Sequence, residues 1–418
     1  MSNTHIDYDI CIIGAGISGL YCARELSKAW PDASICILEK YEFIGGRVST
    51  FKKIMKGTGS IQWEAGAGRI HKSHTQTLEL LREYGIELIP IPPGIEWRSA
   101  LGTEPVEFGR YIQNLGINTI AGEHLSKKTI HQIIHHLFGR ARAAKLTDRY
   151  EYRSEIDTLR ADKAISAILH ELGHQEGFSV VRGGFSLLVK ALKEDVQKRG
   201  VKILRKMEVS DIHKIDKGYR VFVKDHIDIK ASKVIVTIPR DAVAQIKCFK
   251  NLPILKKVTM RPLVRMYAVF PTRNGSWFEG IHKFICEPPV RYVIPMDPTK
   301  GSIMISYTDG KDAEYWLTRM KQDGKSIQNE VMKQTRSLFP SLEIPEPTYF
   351  KIHAWSDGCS YWAPGTYSIE KVSMDSIVPL PKEMPEVYMA NESWAEDQCW
   401  VNSALVQSTK ALKVILNQ

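Results

Sequence analysis

The sequence predicts an α/β fold that opens with a dinucleotide-binding unit, and three observations within residues 9–50 carry that prediction. Residues 9–13 form a short apolar strand that runs into Gly14, Gly16 and Gly19, the Gly-x-Gly-x-x-Gly spacing at the point where a helix begins. A second apolar strand, residues 34–38, ends in the acid Glu39. Further on stand Gly45, Gly46 and Arg47, followed by Thr50.

Each of these positions has a physical reason. Gly14 permits a tight turn, Gly16 lets the backbone approach a pyrophosphate, and Gly19 lets the helix lie close on the strand, so that amides of the first turn, near Ser18, face the phosphates. Glu39 can accept hydrogen bonds from both hydroxyls of an adenosine ribose, with Lys40 beside it, and its charge disfavours a 2′-phosphate.

The combined pattern Glu-x5-Gly-Gly-Arg-x-x-Thr resembles the flavin-dependent amine oxidase family, which includes monoamine, polyamine and L-amino-acid oxidases and the flavin histone demethylases. The resemblance implies FAD and a Rossmann-like FAD-binding domain of the GR2 type, with a mixed-sheet substrate domain and a helical insertion. It assigns residues 1–90, 181–245 and 385–418 to the FAD domain, 91–180 to the insertion and 246–384 to the substrate domain. Arg47 inherits contact with the flavin or its pyrophosphate.

The chain of 418 residues is long enough for two domains. With 43% hydrophobic and 25% charged residues it reads as an ordinary globular protein. The net charge of +10 is spread along the chain, which argues against a nucleic-acid footprint and suits anionic ligands. Seven scattered cysteines without a C-x-x-C pair point away from disulfides and zinc clusters and toward a reducing, cytoplasmic setting. The leading residues are too few and too polar for a signal peptide, and no apolar run approaches the length of a membrane span. A soluble protein without a membrane anchor is expected, its oligomeric state left open.

The next landmark, residues 64–71, is rich in glycine and ends in Arg69, Ile70 and His71. By the resemblance, Gly66, Ala67 and Gly68 pass beside the flavin and the segment then lines the substrate cavity. L-amino-acid oxidases place a carboxylate-binding residue where Arg69 stands, and a guanidinium grips a carboxylate through two parallel hydrogen bonds. Contact of Arg69 with the flavin phosphates or a surface acid is the alternative. The pair Ile70-His71 resembles polyamine oxidases.

Pro92-Pro93-Gly94 marks a break, after which residues 126–174 are charged, helix-forming and nearly free of Gly and Pro. They read as a helical cover for the substrate cleft. His170, Glu171 and His174 match H-E-x-x-H, a zinc-site spacing on a helix, but Val180 stands where a longer zinc motif has a third His, and Gly183-Gly184 break the helix before Glu194. No metal is expected. His131 and His135 read as a solvated helix face.

The apolar positions Phe185, Leu188, Leu192 and Val196 share one helix face, and strands follow at 201–204, 219–224 and 234–238. Relatives lay a backbone against the adenine at the position of Val209. The apolar run 263–270 resembles the strand on which most of these oxidases carry a Lys linked through water to flavin N5; here the residue is Arg265, which effectively cannot lose its charge. Strands are expected near 303–307 and a helix over 325–338.

Residues 355–365 resemble the segment that in monoamine oxidases carries a covalent flavin cysteine and part of an aromatic cage. Cys359 is two residues out of spacing from Pro364-Gly365, so non-covalent FAD is expected, with Tyr361 and Trp362 as candidate cage walls. The last landmark runs from Glu392, matched to ribityl binding, through Trp400, a cage wall, to Val401 and Ala404 at the start of the final helix, whose amides stabilise negative charge on reduced flavin. Cys399, Asn402 and Ser403 depart from the family's Gly, Glu and Gly.

The resemblance implies an oxidase of C–N bonds. A neutral amine gives a hydride equivalent to flavin, the imine hydrolyses to a carbonyl compound and ammonia or amine, and oxygen becomes hydrogen peroxide. Arg69 and the +10 charge favour an amino acid or other anionic amine. Two alternatives stand beside this one: a flavin desaturase or dehydrogenase on an apolar substrate, and a flavin-binding protein with a structural or partner-binding role, supported by Arg265 and the altered last motif. The chain also resembles compact, mostly uncharacterised relatives with this Arg-bearing strand and a Tyr-Trp-x-Pro-Gly segment, which include proteins of large DNA viruses.

Overall fold

The strand Tyr8–Ile13 is the centre of the first sheet because its residues 10–13 are apolar on both faces and buried on both. It pairs in parallel with Ile35–Glu39 on one side and Ile229–Val236 on the other, and Lys202–Arg205 extends the first edge in parallel. The strand Ile229–Val236 divides its partners. Residues 229–231 pair antiparallel with Tyr219–Val223, which pairs with Val209–Lys214, while residues 234–236 pair in parallel with Val387–Met389. The computed structural model describes residues 6–106, 108–114, 124–173, 177–273 and 275–417.

One face of this sheet is covered by the helices Ile17–Ala29, Ser186–Lys198 and Val401–Leu416, whose apolar stripes share a core with Ile10, Ile12, Ile35 and Ile37. Strands from three separated stretches of chain therefore meet in one sheet, with the glycine turn after Ile13 at its carboxyl end.

A second sheet runs in the order Tyr349–Trp362, Val258–Val269, Ser302–Asp309, Tyr292–Asp297, Phe284–Ile285, Glu96–Ser99, Gly102–Pro105. The helices Gly310–Asp323 and Ser326–Leu338 bury Trp316, Ile327 and Val331 against Val264, Met266 and Ile305 of that sheet. Its last two strands correct a sequence expectation: residues 96–105, assigned to the helical insertion, are a hairpin that completes the second sheet. A small third sheet joins Ile70–His71 and Leu88–Pro90 to Phe178–Val181, so the far end of the insertion returns beside its beginning.

The helical part comprises Ile130–Phe138, Arg140–Thr147, Arg153–Asp157 and Ala161–Gly173. Thr129 and Gln132 close a reciprocal capping box on the first of these. The segment is anchored by charge as well as by apolar contact. Asp309 accepts from the amides of Arg153 and Ser154 at 2.8 and 2.9 Å, and the buried guanidiniums of Arg153 and Arg291 both reach Asp312. Burial still pushes the Asp309 carboxyl up to about 6.

His174, part of the zinc-like spacing, lies outside the described residues. The rings of His131 and His135 stack at 6.3 Å, with His131 Nδ1 3.6 Å from Asp157. Among the described residues there is no cluster of three potential metal ligands, and no helix is long and apolar enough to cross a membrane.

Candidate active site

The glycine turn is built as its spacing requires at two of three positions by the protein itself. Gly14 has φ +102°, and a Cβ on Gly19 would lie 2.0 Å from the Gly14 carbonyl oxygen, so only glycine lets the helix approach the strand. Gly16 differs: a Cβ there meets no protein atom within 4 Å. The space in front of Gly16 is open, as a turn that receives a pyrophosphate requires. The first helix has no side-chain cap at Gly16, which leaves its leading amides, Ser18 among them, for an anion.

Glu39 is buried and accepts from the amides of Ala15 at 2.8 Å and Tyr41 at 2.9 Å. These bonds hold its carboxylate at the end of the strand, directly beside the turn. Lys40, by contrast, extends to the surface and pairs with Glu208 at 3.1 Å, so charge attraction turns it away from the turn. The amide of Gly45 donates to the Ala15 carbonyl at 2.9 Å, and Gly46, at φ +57°, lies against Gly16. Val209 begins the edge strand near Glu39, whose carbonyl accepts from Met207.

Arg47 is fixed at two points: Nη2 donates to Glu392 at 2.7 Å and Nη1 to the Gly358 carbonyl at 3.0 Å. Glu392 in turn accepts from the Cys399 amide at 2.6 Å and the Ser360 hydroxyl at 3.1 Å. One buried carboxylate thus ties the Gly-Gly-Arg loop to the second sheet and to the turn before the last helix.

The segment 64–69 is held by the second sheet. Gly66 is mandatory because a Cβ would stand 1.9 Å from the Arg47 carbonyl oxygen. Ala67 donates its amide to that same oxygen at 2.8 Å, Trp355 donates to Ala65 O at 2.6 Å, and Tyr267 to Glu64 O at 2.6 Å. Gly68 packs on the Glu64 side chain. Arg265 donates to Glu64 O and Gly66 O and lies over the Tyr307 ring at 4.7 Å, so its guanidinium clamps backbone carbonyls in a way a lysine ammonium does not reproduce. Glu64 itself accepts from Phe185 N and Thr50 Oγ1, yet burial pushes its carboxyl up to about 7.

Arg47, Glu151, Arg265, Tyr307, Cys359 and Cys399 are each partly exposed rather than fully buried. Arg69 projects among three aromatic rings, with its guanidinium carbon 4.7 Å from the centre of Phe178, 5.2 Å from Tyr152 and 5.7 Å from Trp400. Trp400 stands at the amino end of the last helix, which has no side-chain cap hydrogen bond. Ala404 is buried one turn along. Desolvation pushes the Glu151 carboxyl up, opposed by Arg69 and Lys283; the Lys283 ammonium is lowered by burial and by Arg69.

His71 is buried beside the cage, its Nδ1 2.7 Å from the Ser73 hydroxyl and its ring 4.8 Å from Phe178. Tyr361 is buried and its hydroxyl is pushed well up by desolvation, then by the Cys399 and Cys359 thiols. Trp362 is in the packed core: its indole donates to Ala395 O at 3.1 Å and its ring meets Tyr367. Thus Arg69, Trp400, Arg265 and the glycine segment come together, whereas Trp362 and Lys40 face elsewhere. Sequence reasoning missed Tyr152, Phe178 and Glu151; the only local signal was the Tyr-Glu-Tyr run at 150–152 inside an otherwise charged helical stretch.

Comparison with known proteins identifies the family of the chain. The family description "flavin containing amine oxidoreductase" matches residues 17–416. Lysine-specific histone demethylase 1B of Mus musculus is 23% identical over 401 residues, covering 87% of this chain and 47% of that protein. An uncharacterized protein of Acanthamoeba polyphaga mimivirus is 28% identical over 88 residues, 21% of this chain and 17% of its own length. The chain therefore spans less than half the length of either relative. A double mutant of putrescine oxidase superposes with a TM-score of 0.76 at 18% identity, covering 98% of this chain and 99% of that one, a likeness of fold. With the match running over nearly the whole chain, this protein belongs to the flavin-containing amine oxidoreductases, a family of flavin-dependent enzymes that oxidise amines.

Proposed function

We propose that this chain oxidises the C–N bond of a small amine bearing an anionic group, an α-amino acid being the simplest, with FAD held non-covalently and molecular oxygen reduced to hydrogen peroxide. The observation that carries the reading is Arg69 within its aromatic surround. A guanidinium already among the rings repels a second cation and attracts a carboxylate, so the site opposes a di- or polyamine and receives an anionic amine. Lys283, within the same electrostatic neighbourhood, adds to that preference, and Glu151 offers a partner for the substrate's ammonium.

Glu39 would hold the ribose of FAD, the open turn at Gly16 its pyrophosphate, Val209 its adenine, and Glu392 with Arg47 its ribityl region. The chemistry that flavin supplies when bound is acceptance of two electrons from the amine carbon. The chain's own residues orient and desolvate: Trp400, Phe178 and Tyr152 exclude water from the reacting carbon, and Arg69 fixes the far end of the substrate. Arg265 stays charged and holds the segment 64–66 in place.

A peroxide assay over a panel of L-amino acids, putrescine and spermidine tests the proposal. Peroxide with amino acids alone is the expected result. Peroxide with polyamines alone would overturn the role of Arg69, and a bound flavin that no amine reduces would favour a structural role.

A further inference from the structure

Residues 148–154 form a strap whose backbone is tied to the second sheet by buried charged side chains. Asp309, at the end of Ser302–Asp309, accepts from the Arg153 amide with Oδ1 at 2.8 Å and from the Ser154 amide with Oδ2 at 2.9 Å. Arg291, which precedes the strand Tyr292–Asp297, donates from Nη1 to the Asp148 carbonyl and from Nη2 to the Tyr150 carbonyl. Asp312 meets Nε of both Arg153 and Arg291, at 3.4 and 3.3 Å. Arg291 is 1% exposed and adopts φ +64°, a left-handed conformation that residues with a β-carbon rarely take. Such strain persists where the surroundings over-determine it, and here they aim one guanidinium at two carbonyls.

The strap carries Tyr152, whose ring lies 5.2 Å from the Arg69 guanidinium carbon and meets the rings of Tyr307 at 6.0 Å and Tyr292 at 6.4 Å. The Arg291 bonds end two residues before Tyr152 and the Asp309 bonds begin one residue after it, so the backbone is fixed on both sides of the ring. The Tyr152 hydroxyl is buried and finds no hydrogen-bond partner among the described residues, so the ring owes its place to the backbone and to ring packing. We propose that Asp309 and Arg291 are positioning residues for the substrate end of the site: they hold Tyr152 over Arg69 and thereby keep the guanidinium in one direction. This inference rests on the proposed contact of Arg69 with the anionic end of the substrate. A guanidinium freed from its ring must be ordered again when substrate binds, which weakens affinity and leaves the oxidation step itself alone.

The other two rings around Arg69 explain why this one needs a clasp. Phe178 belongs to the strand Phe178–Val181, which pairs with Ile70–His71, and Trp400 caps the last helix. Tyr152 belongs to no strand and stands ahead of the short helix Arg153–Asp157, so side chains of the second sheet supply the bonds that regular structure supplies for its neighbours. The chemistry of the clasp is specific. An asparagine at 309 has one acceptor oxygen where the carboxylate offers two, and a lysine at 291 has no forked geometry for two carbonyls.

The test is steady-state kinetics of the flavin-loaded full chain on the amino acid that it oxidises best. Asp309→Asn should raise KM roughly three- to tenfold, the loss of one buried hydrogen bond, with kcat held within about twofold. Arg291→Met should raise KM in the same way, and Arg291→Lys should recover part of the loss. Tyr152→Leu should raise KM by itself, and adding Asp309→Asn to it should change nothing further, since no ring is left to place. A merely structural clasp would instead lower kcat with KM, or add its effect to that of Tyr152→Leu. Either of those patterns, or an unchanged KM in Asp309→Asn, would overturn the inference. Should Arg291→Met fail to fold, Asp309→Asn and its double variant still decide. A native chain that oxidises polyamines alone, or no amine, fails the reading of Arg69 before any variant is compared, and this inference falls with it; a native chain that oxidises an amino acid without the expected pattern overturns this inference alone.

Discussion

The guanidinium of Arg47 lies 2.7 Å from the carboxylate of Glu392, a residue 345 positions away and 5% exposed. This pair carries the joint between the glycine-rich loop of the first sheet and the turn before the last helix. Replacing Glu392 by Ala leaves the partly exposed Arg47 guanidinium with the Gly358 carbonyl alone and the Cys399 amide without its acceptor, a loss of about 1–3 kcal/mol. Thermal unfolding should show a large drop for Glu392→Ala and a smaller one for Glu392→Gln, which keeps an acceptor oxygen. Equal melting temperatures for Glu392→Ala and the native chain would remove the pair from this role.

Two glycines of the first turn should respond differently to the same substitution. Gly19→Ala drives a methyl into the Gly14 carbonyl and should lower stability by roughly 1–3 kcal/mol even without flavin. Gly16→Ala meets no protein atom and has φ −77°, so the flavin-free protein should keep its stability within about 0.5 kcal/mol. Its loss should appear only as weaker flavin retention, read from the absorbance of the protein after gel filtration.

Glu64 makes a prediction in pH. Its folded carboxyl is raised to about 7 by burial, so the folded state binds its proton more tightly than the unfolded state. The stability this supplies is complete below the unfolded value near 4.5 and is lost as pH rises through 7. Asp309, raised to about 6, acts in the same sense; His353, lowered to about 4, acts in the opposite one. The diagnostic quantity is therefore the difference between the native chain and Glu64→Gln. Melting temperatures across pH 4.5–8 should fall more steeply with rising pH in the native chain than in the variant, and parallel curves would contradict the assignment.

The amino-terminal unit was legible because its signal is local: strand, glycine spacing, acid and Gly-Gly-Arg loop lie within about forty residues, and each residue type answers a backbone or hydrogen-bonding demand at that point. The last helix was legible for the same reason. The hairpin at 96–105 was not, since its pairing partner, Phe284–Ile285, is far away in sequence and Pro92-Pro93-Gly94 signals only a break. The role of Arg265 was also hidden, because it depends on backbone carbonyls at 64 and 66 brought to it by tertiary packing. Tyr152 comes to Arg69 from the middle of the helical segment and Phe178 from the strand that follows it, a convergence no local pattern encodes.

Arg69 should separate binding from folding. Arg69→Ala removes a charge-assisted contact of about 1.5–3 kcal/mol with an anionic amine, which corresponds to a rise in KM of roughly ten- to a hundredfold. Arg69→Lys should recover part of that loss, since the charge remains while the forked geometry does not. Steady-state kinetics on the best amino acid of the panel checks both; an unchanged KM in Arg69→Ala would detach the guanidinium from the substrate.

Oxidation of an anionic amine by a non-covalent flavin is tested by an anaerobic titration of the purified protein, followed by its visible absorbance. The expected result is flavin bands that are released into the supernatant by acid precipitation and that bleach with an α-amino acid while putrescine and spermidine leave them unchanged. Flavin bands that bleach with the polyamines alone, or with none of these compounds, would contradict it.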